Sequence, residues 1–335
     1  MARIAICGAG GWGTALAVMA SRFGRDVALW SPFEEEIEGI RRHGEQKKLL
    51  PGIPVPPEIE LTTDLACTAD ADLVMLTVPS FAVGQTAARL QPYLRPHTVV
   101  ANAGKGLEET TLRRFSERIA EELPGIRVAV LSGPSHAEEV GRGVPTSVVS
   151  ASADPEAAEI VQDLLMNPTF RIYLSQDVAG VELGGALKNV IALAAGICDG
   201  LDMGDNTKAA LMTRGLAEMA RLGTAMGANA ETFAGLSGMG DLIVTCGSMH
   251  SRNRRAGILI GQGMDPTEAV RRVGTVEGYL AAGAAWKLAR RESVCMPITE
   301  QCYRVCYEGQ PPADAIRLLM DRPKRHEGEQ PWLSS

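Results

Sequence analysis

The stretch RIAICGAGGWGTALA (residues 3–17) constrains this chain more than any other. A short apolar run at the very start of the sequence reads as a strand. Gly8, Gly10 and Gly13 follow it with GxGxxG spacing, and Trp12 to Phe23 then carries the period of a helix, with Gly24 placed as its C-terminal cap. Each glycine has a mechanical reason. Gly8 permits a tight turn, Gly10 lets the backbone approach a pyrophosphate, and Gly13 lets helix and strand pack closely. The free amides and partial positive charge of the helix start complete an anion site. A lone GxGxxG is a weak signal, but between a strand and a helix, at the head of a strand–helix–strand unit, it points to a dinucleotide.

The following residues extend the pattern. DVALW (26–30) is a second strand, and Glu34 to about Arg42 is helical. LLPGIPVPPEI (50–59) is proline-rich and predicts irregular or extended chain. ADLVMLTVP (71–79) is nearly all apolar, as in a parallel-sheet strand covered on both faces. A helix to about Leu90, a strand in TVVANAGKG (98–106), and a charged helix over about 110–122 come next. Strands in VAVLSGPS (128–135) and TSVVSAS (146–152), a helix near 155–166 and a strand FRIYLS (170–175) complete the alternation. This predicts a doubly wound α/β domain. Near residue 176 the period changes. Residues 177–199, 207–227, 267–272, 275–291 and 312–320 read as helices, with hardly any strand signal. The expected organisation is an N-terminal Rossmann domain (1–178), an all-α C-terminal domain (179–322) and a polar tail (323–335).

Composition excludes several function classes. The 335 residues are 45% apolar and 22% charged, the range of a soluble globular protein. A net charge of −7 argues against a broad nucleic-acid or membrane surface, so a bound anion needs a local cluster of positive charge. No apolar stretch is expected to approach the ~20 residues of a membrane helix, and the N-terminus lacks the basic start and cleavage site of an export signal. Seven scattered cysteines without CxxC spacing and five dispersed histidines point to reduced cytoplasmic thiols, with no disulfide framework and no metal site.

Several segments carry chemistry-bearing residues. NAGKGLE (102–108) sets Lys105 in a glycine-flanked loop at a strand's carboxyl end, the edge that faces the cofactor crevice in such sheets. SGPSHAEEV (132–140) offers Gly133, Ser135 and following amides to a polar ligand, or else Ser132 or Ser135 simply caps a helix. VELGGALKNVIALAAG (181–196) is an apolar helix containing Lys188 and Asn189. Gly184 and Gly185 lie on the same face as Lys188, one turn back. Two glycines cost a helix interior roughly 1 kcal/mol each against alanine, so something must come close there. A lysine desolvated in that setting has its pKa drawn toward neutrality, which suits proton transfer; the alternative is a snorkelling lysine. GLSGMGDLIVTC (235–246) puts Asp241 behind a run of glycines, either capping a helix or orienting a lysine or substrate hydroxyl. HSRNRRAG (250–257) clusters Arg252, Arg254 and Arg255 beside Ser251 and Asn253, a combination suited to phosphate on a net-acidic chain.

In this order, GAGGWGTALA, NAGKGLE, LSGPSHAEEV, ELGGALKNVIA, GLSGMGDLIVTC and SRNRR closely resemble the NAD(P)-dependent glycerol-3-phosphate dehydrogenases of the bacterial type, over residues 1 to about 320. The resemblance implies a Rossmann domain followed by an all-helical one, and interconversion of dihydroxyacetone phosphate with sn-glycerol 3-phosphate for phospholipid synthesis. It further implies a homodimer. By resemblance Lys188 is the catalytic acid/base, with Lys105, Asp241 and Asn189 in the same centre. Ser251, Arg252 and Asn253 hold substrate, and Gly133 and Ser135 line its pocket. Gly11, Trp12, Lys105, Ala137, Arg252 and Glu277 match cofactor positions, beside the glycines of the first turn.

The sequence departs from the family at coenzyme positions. Pro32 and Phe33 stand where arginine or histidine is frequent, and Leu49 where tyrosine is common. The segment before Glu277 is one residue short, so Thr275 and Val276 both stand for its cofactor-binding neighbour. Ser31 and Pro32 occupy the place of the acid expected at the end of the second strand, with Glu34 to Glu36 coming later. Lys47 and Lys48 read either as contacts for a 2′-phosphate or as solvated lysines. NAD and NADP therefore both stay open. Two rivals are a 3-hydroxy-acid dehydrogenase of similar architecture and a non-catalytic dinucleotide sensor.

Overall fold

In a computed structural model the structure describes residues 2–324 and Glu327, so most of the expected polar tail lies outside the described residues. The chain divides into two compact units. The first comprises residues 1–104 and 115–178, the second Lys105–Arg114 and the chain from Ala179 onward.

The first unit is built on an eight-stranded sheet: β1 (Arg3–Cys7), β2 (Asp26–Trp30), β3 (Glu60–Thr62), β4 (Leu73–Leu76), β5 (Val99–Asn102), β6 (Arg127–Ser132), β7 (Thr146–Ala151) and β8 (Phe170–Ser175), in the order β3-β2-β1-β4-β5-β6-β7-β8. The first six strands are parallel and follow the doubly wound order, reversing direction of winding beside β1. β7 runs antiparallel to β6, and β8 parallel to β7. Residue parity explains the burial. Ile4, Ile6, Leu29, Leu73 and Met75 enter one apolar cluster, while Ala5, Cys7, Ala28, Trp30, Val74 and Leu76 enter another. Covering both faces are α1 (Gly11–Arg22), α2 (Glu34–His43), α3 (Val83–Leu90), α4 (Phe115–Glu122), α5 (Ala137–Arg142) and α6 (Pro155–Leu165). Gly24 takes φ +77° behind α1, the left-handed geometry its placement predicts.

One expectation is corrected in this unit, and one strand has no sequence counterpart. The charged helix does not begin near residue 110. It begins at Phe115, because Leu107 and Leu112 turn away into the core of the second unit, Leu112 at φ +60°. The edge strand β3 has no sequence counterpart, since three residues are too few to show a period.

The second unit is helical: α7 (Val178–Gly200), α8 (Gly204–Ala225), α9 (Ala230–Ala234), α10 (Asp241–Gly247), α11 (Arg252–Gly261), α12 (Pro266–Val273), α13 (Glu277–Arg291), α14 (Pro297–Tyr307) and α15 (Pro312–Met320), with a π-helical turn at Leu236–Gly240. The expectation that no apolar stretch approaches membrane length is wrong for α7. Its 23 residues are long and apolar enough to cross a bilayer, yet the apolar window is wholly buried inside the unit. Glycines on α7 admit backbone where a side chain would block it. A Cβ at Gly196 would lie 2.1 Å from the Arg254 carbonyl oxygen, and one at Gly257 would lie 2.1 Å from that of Leu193. Helix α11 is thereby seated directly on α7. The buried Glu218 carboxylate on α8 accepts the backbone N–H groups of Ile298 and Thr299 at 2.6 and 3.1 Å, capping the start of α14 from a neighbouring helix. All seven cysteines are free.

Candidate active site

The glycine turn of the first unit is shaped by contact distances. A Cβ on Gly13 would sit 1.9 Å from the Gly8 carbonyl oxygen and 2.5 Å from Thr77 Oγ1, so α1 can lie this close to β1 only with glycine there. Gly8 holds φ +125°, and Thr77 Oγ1 donates to its carbonyl at 3.0 Å. Gly10 differs: the nearest atom to a Cβ would be Leu49 Cδ1 at 3.8 Å, leaving the backbone open to a ligand. Gly11 has a packing reason, with the Leu49 carbonyl oxygen 2.6 Å from its would-be Cβ. No side chain caps α1 and no acid lies in its first turn, so its amides and dipole are available to an anion. These features fit a dinucleotide pyrophosphate. Trp12 packs partly buried on the adjoining core. We predict that Gly13→Ala destabilises the protein by about 1–3 kcal/mol. It should weaken coenzyme binding on the order of tenfold or more, as thermal unfolding and coenzyme titration would show.

In the same unit Gly133 takes φ +139° against Val148. Ser135 Oγ donates to the Gly133 carbonyl at 2.9 Å, and no side-chain cap bonds the start of α5, which Ala137 opens. Neither Ser132 nor Ser135 therefore caps this helix, which removes one of the two readings of the segment. Ser132 Oγ is buried without a hydrogen-bond partner.

The second unit gathers the charged residues. Lys188 on α7 is 5% exposed and Asp241, the first residue of α10, 1%. Lys188 Nζ donates to Asp241 Oδ1 at 2.6 Å, and Lys105 Nζ donates to Asp241 Oδ2 at 2.7 Å. One carboxylate thus joins two ammonium groups. What comes close beside Gly184 is the turn before α10: a Cβ there would lie 2.6 Å from the Ser237 carbonyl oxygen. The glycine lets the Asp241 segment rest on α7, one turn below Lys188. Lys105 is delivered by the 105–114 segment, anchored by Leu107 in the core and by Arg114 paired at 3.0 Å with the buried Glu182 of α7.

Burial draws the Lys188 ammonium down to about 8, against the pull of Asp241 in the other direction, with Lys105 adding to the fall. Burial alone would raise the Asp241 carboxyl, but Lys105 and Lys188 together hold it below the ordinary carboxylate range. The result is a carboxylate favoured in its ionised form beside a lysine drawn down to about 8.

Thr245 also belongs to this cluster, and sequence reasoning misses it. Its Oγ1 accepts from Lys188 Nζ at 2.6 Å and lies 2.6 Å from the Asp241 carbonyl oxygen, to which it donates. The available signal is its position four residues after Asp241, legible only once α10 is recognised as a helix.

A chain of amides flanks the lysines. Asn189 Nδ2 donates to Gly185 O at 3.2 Å, and Asn253 Nδ2 donates to Asn189 Oδ1 at 2.8 Å. Asn253 Oδ1 in turn accepts from Gly278 N at 2.8 Å, tying α7, α11 and α13 together. Ser251 caps α11, its Oγ accepting from Arg254 N at 3.2 Å. Of the arginine cluster, Arg254 is structural: it pairs with Asp199 at 2.7 Å and donates to Gly247 O at 2.7 Å. Arg252 and Arg255 are exposed. Before α13, Val276 is buried in a local core while Thr275 is half-buried, and Glu277 opens the helix. Among the described residues, no group of three or more His, Cys, Asp or Glu side chains is placed to hold a metal ion.

Comparison with known proteins is decisive for the family. The profile "NAD-dependent glycerol-3-phosphate dehydrogenase N-terminus" matches residues 3–158, and "NAD-dependent glycerol-3-phosphate dehydrogenase C-terminus" matches residues 177–317. The chain belongs to the NAD-dependent glycerol-3-phosphate dehydrogenase family. Within that family it is 56% identical to glycerol-3-phosphate dehydrogenase [NAD(P)+] of Moorella thermoacetica, over 97% of this chain and 98% of the relative. It is 51% identical to the protein of the same name from Desulfitobacterium hafniense, over 98% and 94%. The crystal structure of the Coxiella burnetii glycerol-3-phosphate dehydrogenase superposes with a TM-score of 0.92 at 38% identity, covering 96% of this chain and 99% of that one. The hydroxy-acid and sensor alternatives are not favoured by these likenesses.

Proposed function

We propose that this chain interconverts dihydroxyacetone phosphate and sn-glycerol 3-phosphate with NAD(H) or NADP(H). The observation that carries this reading is the shared carboxylate of Asp241 between Lys188 and Lys105, in a family of glycerol-3-phosphate dehydrogenases. The bound coenzyme supplies or takes up hydride at the nicotinamide. The glycine turn, Gly8 to Gly13, is assigned to its pyrophosphate, and the family's motifs add Ala137, Lys105, Arg252, Thr275 or Val276, and Glu277 as coenzyme residues. Charge that builds on the ketone oxygen is stabilised by protonated Lys188, which donates the proton from Nζ. Asp241 orients that ammonium and Thr245 fixes its direction, so the lysine meets the oxygen without searching. Lys105 adds a second positive charge. Ser251, Arg252 and Asn253 grip the phosphate together with Lys105, and binding energy at the phosphate positions the reacting carbon; Gly133 and Ser135 are assigned to substrate by the family's motif alone. In the reverse direction neutral Lys188 accepts the hydroxyl proton.

On this reading the product feeds glycerophospholipid synthesis in the cytoplasm, and the working form is a homodimer. The test is parallel oxidation of NADH and NADPH with dihydroxyacetone phosphate and with a 3-oxo acid. Turnover is expected with the phosphorylated ketone alone; turnover with the 3-oxo acid alone, or with neither despite coenzyme binding, would overturn the assignment.

A further inference from the structure

The relatives' names give both coenzymes, and the residues after β2 depart from the family's pattern, yet a carboxylate lies close to the end of β2, the edge where doubly wound sheets discriminate. In doubly wound sheets an acid at the end of the second strand accepts hydrogen bonds from the ribose hydroxyls of NAD, whereas a 2′-phosphate is met by arginine. Here Ser31, Pro32 and Phe33 provide no acid, but α2 begins directly after them and Glu36 lies in its first turn. Ser31 Oγ donates to Glu36 Oε2 at 2.6 Å, and Gln46 Nε2 donates to Glu36 Oε1 at 3.1 Å. The same Gln46 Nε2 donates to the Ala9 carbonyl at 2.8 Å, within the glycine turn. β1 and β2 end level, Cys7 opposite Trp30, so turn and carboxylate share one edge of the sheet.

We propose that Glu36, held by Ser31 and Gln46, is the residue that sets this chain's preference for NAD(H) over NADP(H). This rests on the reading that the first unit binds the coenzyme. The carboxylate is half-buried, and each oxygen keeps a lone pair beyond the bond it already accepts. It can receive a ribose hydroxyl as it stands. A 2′-phosphate would place two negative charges beside a third that cannot swing away, because two donors on separate segments fix it. The exposed Glu34 and Glu35 on the same turn lack those anchors among the described hydrogen bonds, and their charge is screened by solvent.

The experiment is equilibrium titration of NADH and of NADPH, by coenzyme fluorescence and without substrate, on wild-type protein, Glu36→Gln and Glu34→Gln. Wild type should bind NADH at least about tenfold more tightly than NADPH. Glu36→Gln keeps an amide to hydrogen-bond but removes the charge, and should bring the ratio close to one, chiefly by tightening NADPH. A purely structural role cannot tighten either coenzyme. Glu34→Gln should leave the ratio within about twofold. Wild type binding NADPH as tightly as NADH, as Lys47 or Lys48 engaging the phosphate would produce, overturns the proposal. So does an unchanged ratio in Glu36→Gln, equal weakening of both coenzymes, or the same shift in Glu34→Gln. Failure of wild type to bind either coenzyme overturns instead the assignment of the first unit.

Discussion

Lys188→Ala is expected to lower kcat for dihydroxyacetone phosphate reduction by about 10²–10⁴-fold while leaving NADH affinity nearly unchanged. The reason is a division of labour within the chain. The glycine turn proposed for the pyrophosphate lies in the first unit, whereas Lys188 sits on α7 in the second, one turn from the close contact between Gly184 and Ser237. Removing the ammonium takes away the only protein proton that the mechanism delivers to the ketone oxygen. Asp241 does not become an orphaned buried anion, because Lys105 still donates to its other oxygen at 2.7 Å. The protein should therefore fold, and steady-state kinetics with a coenzyme titration separates the two effects. A variant with near-normal turnover would show that Lys188 is not the proton donor.

Asp241→Asn should act differently, moving the pH profile rather than only depressing it. With Lys188 titrating near 8 in the free protein, kcat/KM for ketone reduction should be highest below that pH and fall as pH rises through it, because the donor is lost. Oxidation of glycerol 3-phosphate should rise over the same interval. Asp241 is what keeps the lysine from falling further. Without its charge, burial and the repulsion of Lys105 remain, and both favour the neutral amine. The falling limb for reduction should move to lower pH, leaving little activity near neutrality. Stability should drop as well, by up to about 3–5 kcal/mol, the usual effect of breaking a buried pair, less what is recovered when Lys188 sheds its proton. Rate profiles against pH and denaturant unfolding check both parts. A limb that stays near 8 would mean that the charge of Asp241 does not set the lysine's pKa.

Much of this is legible in the sequence, for reasons that vary by element. Strands such as β4 and β5, buried along their whole length, read as apolar runs, and the glycine turn announces β1. α7 announces itself by composition, and its paired glycines advertise a close approach beside Lys188 without saying what approaches. The missed features share another cause. The 105–114 segment looks locally like a loop leading into a charged helix, because nothing local shows that Leu107 and Leu112 bury far from their chain neighbours. Helices α10 and α11 are short, so their period is weak; with a helix after Asp241 only one of two readings, Thr245 has no settled face to occupy. Arg254 resembles its neighbours Arg252 and Arg255 until Asp199 is brought to it by α7. Contacts between distant segments decide each of these.

The 105–114 segment also bears on any attempt to cut the protein in two. A gene fragment ending at residue 178 looks like a natural way to produce the coenzyme-binding half. It would carry Leu107 and Leu112 with no core to receive them, as a sticky loop in the middle of an otherwise complete sheet. The complementary fragment from residue 179 would retain Lys188 and Asp241 but leave their cluster one lysine short, and buried Glu182 without Arg114. Mixing the two halves would be needed to rebuild the triad, so the ten residues from Lys105 to Arg114 make the enzyme indivisible at the place where its sequence looks most divisible.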